Sequence, residues 1–164
     1  MINKEIFLLL KAKCKDIGIN FRENMFFKFK EFCNTRCKNR IADFSESYLG
    51  LNSIKVISLL LLDTNRLSRL DLSKNNIGNL GVEILVNSIK KSRSLVSLNL
   101  STLEGSNRNR ITSVGIENIP IFLNVNHFIE MLHLSGNSIK NEGFLYICEG
   151  LEKNQKDKSP HVHR

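Results

Sequence analysis

The sequence predicts an α/β solenoid: a short horseshoe with a parallel sheet on its concave face and helices on its convex face. Three observations carry this. Four tetrads recur, Ala42-Asp43-Phe44-Ser45, Leu70-Asp71-Leu72-Ser73, Leu98-Asn99-Leu100-Ser101 and Leu132-His133-Leu134-Ser135, at spacings of 28, 28 and 34 residues. Asn, Ile and Gly follow each of the last three, as Asn75, Ile77 and Gly81, Asn109, Ile111 and Gly115 (after six extra residues), and Asn137, Ile139 and Gly143. The first unit carries a degraded version, Ser47, Leu49 and Ser53. Apolar residues then recur at helical spacing. Each unit is thus one strand plus one helix, and it buries its apolar face only against its neighbours.

The elements follow in chain order. Residues 1–38 read as an N-terminal cap, because an open parallel edge needs a cover. A helix is expected over Asn3–Lys15. A truncated unit is expected over 16–38, with Ile19-Asn20-Phe21 imitating the strand and Met25, Phe29, Phe32 and Cys33 forming a helix stripe. Repeats then span 39–66, 67–94, 95–128 and 129–156. In the second, Leu70 and Leu72 lie two apart and share one strand face, while Arg69, Asp71 and Ser73 take the other. Asn75 can bond backbone groups left unpaired as the chain leaves the strand, so Asn75, Asn109 and Asn137 should stack as a ladder. Val82, Leu85 and Ile89 point inward at helical spacing. Ile54, Ile57 and Leu61 are expected in the same slots of the first unit, and Phe144, Ile147 and Leu151 in those of the last. Pro120 falls inside the third helix, which should therefore start near Asn118 or kink. Residues 157–164 have lost the pattern and read as a polar tail.

The unit Leu67-Ser68-Arg69-Leu70-Asp71-Leu72-Ser73-Lys74-Asn75-Asn76-Ile77 resembles the leucine-rich repeat, in its 28-residue, ribonuclease-inhibitor-like class. The resemblance covers residues 39–156, about seven-tenths of the chain. It implies a right-handed solenoid that grips other proteins through its concave side and strand-end loops. Some members of that class inhibit an enzyme by covering its active site, so a regulator that occludes a partner protein is the mechanism implied. The Asn, Lys and Ile bias is similar to that of compact leucine-rich repeat effectors that intracellular bacteria such as Legionella inject into host cells. This implies the host cytosol if the chain is such an effector, while four cysteines without a secretory signal imply a reducing, cytoplasmic setting.

Composition narrows the rival classes. Apolar residues make up 41% and charged residues 24%, close to a globular average, so wholesale disorder is excluded. The runs Ile6–Leu10 and Ile57–Leu62 are too short to cross a bilayer, and residues 1–15 show no secretory signal. Net charge is +8, of which residues 1–40 hold +6 (ten Lys/Arg against four Asp/Glu). That N-terminal excess leaves one alternative function: an accessory subunit of a larger assembly that touches RNA or lipid with its basic N-terminal region. Cys14, Cys33, Cys37 and Cys148 form no C-x-x-C pair and no zinc spacing. There is no P-loop, no H-E-x-x-H, no G-x-S-x-G and no dinucleotide fingerprint. His133 between Ser101 and Ser135 lacks an oxyanion pocket on an open sheet. The expectation is a protein with no catalytic residues, cofactor, metal or small-molecule substrate, monomeric by itself.

The candidate surface is the outward face of the strands with the lip above it. Asp43, Arg69, Asp71, Asn99, Met131 and His133 should face out from the strands, with Arg69, Met131 and His133 as anchors. Glu46, Lys74 and Thr102 should stand at the strand ends. Six extra residues between Ser101 and Ile111 should raise a loop at the lip, where Arg108 and Arg110 suit bidentate contacts to carboxylates. Signs are mixed and no basic stripe or aromatic platform appears, which argues for a protein partner over nucleic acid.

Overall fold

The computed structural model describes residues 3–62, 66–103 and 108–158, side chains of 155–158 excepted. Helix α1 (Asn3–Asp16) and helix α2 (Met25–Arg36) precede the repeats. Strand β1 (Cys37–Lys38) turns into β2 (Ile41–Asp43), which is followed by α3 (Leu51–Leu62). The second unit supplies β3 (Arg69–Asp71) and α4 (Gly78–Ile89). The third supplies β4 (Ser97–Asn99), α5 (Ser113–Ile116) and α6 (Ile119–Val125), and the fourth β5 (Met131–His133) and α7 (Lys140–Lys158). Pro120 sits in the first turn of α6 and divides the third unit's helix, because its ring cannot sit in a helix interior.

The sheet runs β1-β2-β3-β4-β5. β2 to β5 are parallel and in tetrad register: Ala42 pairs with Leu70, Leu70 with Leu98, and Leu98 with Leu132. The even positions point into the core, where Leu70, Leu72, Leu98 and Leu100 meet Val82, Leu85, Ile89 and Ile111, all buried. Gly81 leaves room for its own unit's Ile77, since a Cβ there would lie 2.5 Å from the isoleucine Cγ2.

The Asn ladder forms. The Asn75 side chain donates to the carbonyls of Phe44, Leu72 and Ser73 at 2.9–3.0 Å, and its Oδ1 accepts the N–H groups of Ser47 and Leu49 at 3.1 and 2.9 Å. Asn109 donates to the carbonyls of Leu72 and Leu100, and Asn137 to those of Leu100 and Leu134. Each amide therefore ties two successive units. Asn109 differs: its buried Oδ1 has no partner among the described residues.

The N-terminal cap departs from expectation. Ile19-Asn20-Phe21 is not a strand, and Ile19 and Asn20 are exposed. The edge of β2 is covered instead by β1, which pairs antiparallel through Cys37–Ala42 and Lys38–Ile41. The two-residue turn between them has Asn39 at φ 52° and Arg40 at φ 65°, the left-handed geometry that suits a tight hairpin. The sheet is thus mixed at this one edge. α1 closes the core beneath it through Ile6, Leu9, Leu10 and Cys14.

Asp16, at the end of α1, caps the start of α3 from far away in sequence. Its carboxylate accepts the N–H groups of Gly50, Asn52 and Ser53 at 2.8–2.9 Å. Burial works to raise its pKa, but these bonds outweigh it and hold the carboxyl below its ordinary 3.8. A depressed native pKa means the stabilisation is complete above the unfolded value and is lost as pH falls through the native one. Asp16→Ala is therefore expected to lower stability by about 1–2 kcal/mol at neutral pH, the size of a lost N-cap. The gap from wild type should close in acid below pH 3.8, as followed by denaturant titration at several pH values.

The last unit corrects a further expectation. Phe144, Ile147 and Leu151 occupy the helix slots of Val82, Leu85 and Ile89, yet Phe144 and Leu151 are exposed and Ile147 half-buried. A core slot in a solenoid is closed by the following unit, and no described unit follows this one.

Candidate functional site

Odd-numbered strand residues face out in two rows set by the parallel register. One row is Ile41, Arg69, Ser97 and Met131, and the other is Asp43, Asp71, Asn99 and His133. Arg69, Met131 and His133 are exposed, while Ser97 lies buried between its neighbours.

The second row is largely committed to the fold. Asp71 Oδ1 accepts the Ser73 N–H at 2.8 Å and hydroxyl at 2.6 Å. Asn99 Oδ1 takes the same pair from Ser101 at 3.0 and 2.6 Å, and Asn99 also donates to Asp71 Oδ2 at 2.9 Å. Asp43 accepts both groups of Ser45 and an ion pair from Arg36 at 3.4 Å. Burial works to raise the Asp43 pKa, but Ser45 and Arg36 outweigh it and hold the carboxyl below its ordinary value. The recurring serines therefore fasten strand ends, and Asp43, Asp71 and Asn99 form a half-buried polar ladder. His133 ends that row in the open.

At the lip, Glu46 and Lys74 stand at equivalent positions of successive units, at φ 52° and 54°, and form an ion pair. Thr102, in the third equivalent position, is not exposed as expected but 2% accessible. Its N–H donates to the Ser135 carbonyl at 2.8 Å, and the left-handed turn at Gly136 packs on its own carbonyl. Thr102 therefore supports the lip from below. Arg108 and Arg110 are exposed and, with Thr112, Gly136, Asn137 and Ser138, line a cleft of about 440 Å³. Two guanidinium groups beside amide and hydroxyl donors are chemically matched to carboxylates. The tip of the expected loop, residues 104–107, lies outside the described residues.

The sequence reading missed a second cavity, of about 730 Å³, at the other end of the strands, floored by Ala42, Phe44, Ile57 and Leu70 and edged by Arg40 and Arg66. No spaced motif marks it, because it forms where the β1 hairpin meets α3.

Other chemistry finds little footing. Burial pushes the Cys33 thiol up to about 12 and that of Cys37 to about 11, so both stay protonated and unreactive. The Ser101 hydroxyl is spent on Asn99. Among the described residues no three His, Cys, Asp or Glu side chains gather as a metal site. No helix among them is long and apolar enough to cross a membrane.

Comparison with known proteins agrees with this geometry. A family model described as leucine-rich repeat matches residues 66–86 and 125–148, mostly in the second and fourth units. Among solved structures, the leiomodin-1 actin-binding site 2 is similar with a TM-score of 0.55 and 14% identity, over 96% of this chain and 91% of that one. Comparison with curated proteins by sequence finds no match. The matched units, the register and the Asn ladder together agree with a solenoid fold of the leucine-rich repeat type.

Proposed function

We propose that the chain is a non-catalytic protein-binding module whose concave sheet face and lip dock a partner protein. The observation that carries this is the set of exposed anchors, Arg69, Met131 and His133, held on one sheet face beside the hydrogen-bonded row of Asp43, Asp71 and Asn99. Preorganised anchors bind without much loss of side-chain freedom. Four to five strands at about 4.8 Å spacing make a face about 20 Å wide, enough for a standard contact of about 800 Å² per partner. Arg108 and Arg110 add a cleft for a carboxylate of that partner. Occlusion of an enzyme or regulator is the mode of action this shape favours, and delivery into a host cytosol is the setting its composition favours.

The basic N-terminal region supports this reading over RNA or lipid contact. Lys11 lies over the rings of Phe7 and Phe21 at 4.5 and 5.5 Å, Lys13 over Phe29 and Phe32, and Arg36 over Phe32 at 5.1 Å. These cations serve the packing of the cap.

The test is a pull-down from the native cell, followed by titration of the captured protein. Actin, which the leiomodin-1 site binds by its printed name, belongs in the same titration. Arg69→Glu with His133→Ala is expected to weaken binding by about 100-fold, as loss of two hot-spot anchors does, with an unchanged melting curve. Unchanged affinity would move the site off the concave face.

A further inference from the structure

One departure in the repeat accounts for the cavity of about 730 Å³ at the start of the strands. The first inward strand position is leucine in three tetrads, Leu70, Leu98 and Leu132, and alanine in the first, Ala42. Register sets the four in one row, Ala42 beside Leu70, Leu70 beside Leu98 and Leu98 beside Leu132. On its other side Ala42 pairs with Cys37 of β1, so the row ends in two small side chains. The isobutyl group that fills this place in each later unit is missing, and both small residues line the cavity. Protein interiors are close-packed, and an apolar space left open costs stability until something occupies it.

The lining is divided in its chemistry. The floor is apolar, with Ala42, Phe44, Ile57 and Leu70 each 4% exposed or less. The rim is basic. Lys38, Arg40 and Arg66 are exposed there against one acid, Glu5. Arg40 Nε donates to the Arg66 carbonyl at 3.1 Å, which pins the Arg40 guanidinium against the turn at Arg66. Neither guanidinium, nor the Lys38 ammonium, forms an ion pair with a described residue.

We infer that this cavity binds a single-chain fatty acid, with the tail on the apolar floor and the carboxylate between Arg40 and Arg66. Three features select that occupant. The first is volume, which falls in the range of small-molecule sites, about 300–1,000 Å³, and suits one acyl chain rather than two. The second is the floor, whose four side chains carry no nitrogen or oxygen and so reward a ligand with no polar group along its length. The third is charge. The two arginines supply forked donors matched to a carboxylate, and the excess of cations at the rim repels a positively charged head. The cavity shares no lining residue with the cleft at the lip, so it is a second site and not an extension of that cleft.

Calorimetric titration of the full chain with octanoate, decanoate and dodecanoate, each below its micelle threshold, tests this. Affinity should rise by about fourfold for each further methylene buried. Dodecanoate should also raise the melting temperature, as a ligand of the native state does. Dodecyltrimethylammonium, with the same tail and the opposite charge, should bind about 10-fold more weakly or worse. Ala42→Leu restores the missing side chain and should weaken dodecanoate by about 10-fold or more, because it takes the place of buried methylenes. Arg40→Gln with Arg66→Gln alters exposed residues and should weaken it by about 10–100-fold, the loss of charge-assisted hydrogen bonds. That pair decides the matter if Ala42→Leu does not fold. Absence of both heat and a melting shift with dodecanoate would overturn the inference. So would equal binding of the dodecyl cation, or undiminished affinity in either folded variant. Binding to anionic vesicles, or to a captured protein, that Ala42→Leu abolishes would overturn it as well, by giving the cavity a different occupant.

Discussion

Leu72→Ala is expected to lower the unfolding free energy by about 2–5 kcal/mol, the range for deleting a buried leucine side chain. Leu72 is fully buried just after β3. It sits in the column Phe44, Leu72, Leu100, each a fully or almost fully buried residue of successive tetrads. Truncation leaves a cavity between units rather than inside one. Units in a solenoid are stabilised by their neighbours, so the loss falls on both adjoining contacts. The backbone bond from Leu72 to Asn99 remains, which limits collapse of the site and keeps the cavity open. Equilibrium denaturation followed by circular dichroism measures it. A loss under 1 kcal/mol would mean that the column does not carry the core.

Asn75→Ala should be as damaging by a different route. Its amide makes five hydrogen bonds, three to carbonyls and two from N–H groups, all in the buried interior. Alanine leaves those backbone groups without partners, and an unsatisfied buried group costs about 1–3 kcal/mol. Some will find each other or water, so a total of about 3–5 kcal/mol is expected. Asn109→Ala provides the internal contrast. Its Oδ1 is already unpartnered, so only the donor bonds are lost and the native state is relieved of one orphaned acceptor. Its effect should be smaller than that of Asn75→Ala by about 1–3 kcal/mol. Equal effects would show that the ladder is not asymmetric.

The parts of the fold that were legible are those where one residue type serves the same backbone need in every unit. Leu at alternate strand positions and Asn at the strand exit have no other place to go once the units stack, so register followed from spacing. The division of the third helix followed from Pro120 alone. What escaped reading depends on contacts between distant segments. Ile19-Asn20-Phe21 has the composition of a strand, but the edge went to a hairpin whose turn, Asn39-Arg40, lacks the glycine that usually marks one. The cap from Asp16 to Gly50 joins residues 34 apart in sequence and follows no motif. In the site, exposure at Arg69, Met131 and His133 followed from strand alternation. Burial of Thr102 did not, because it is imposed by the turn at Gly136 in the next unit. The slots of Phe144 and Leu151 were read as filled, although a slot is only as buried as the unit after it allows.

Hydrogen–deuterium exchange on the partner complex tests the central claim most directly. Slowed exchange should appear in β3 to β5 and at Arg108–Ile111, with the convex helices α3 and α4 unchanged. Slowing confined to those helices or to residues 3–36, with the strands exchanging as in the free protein, would contradict it.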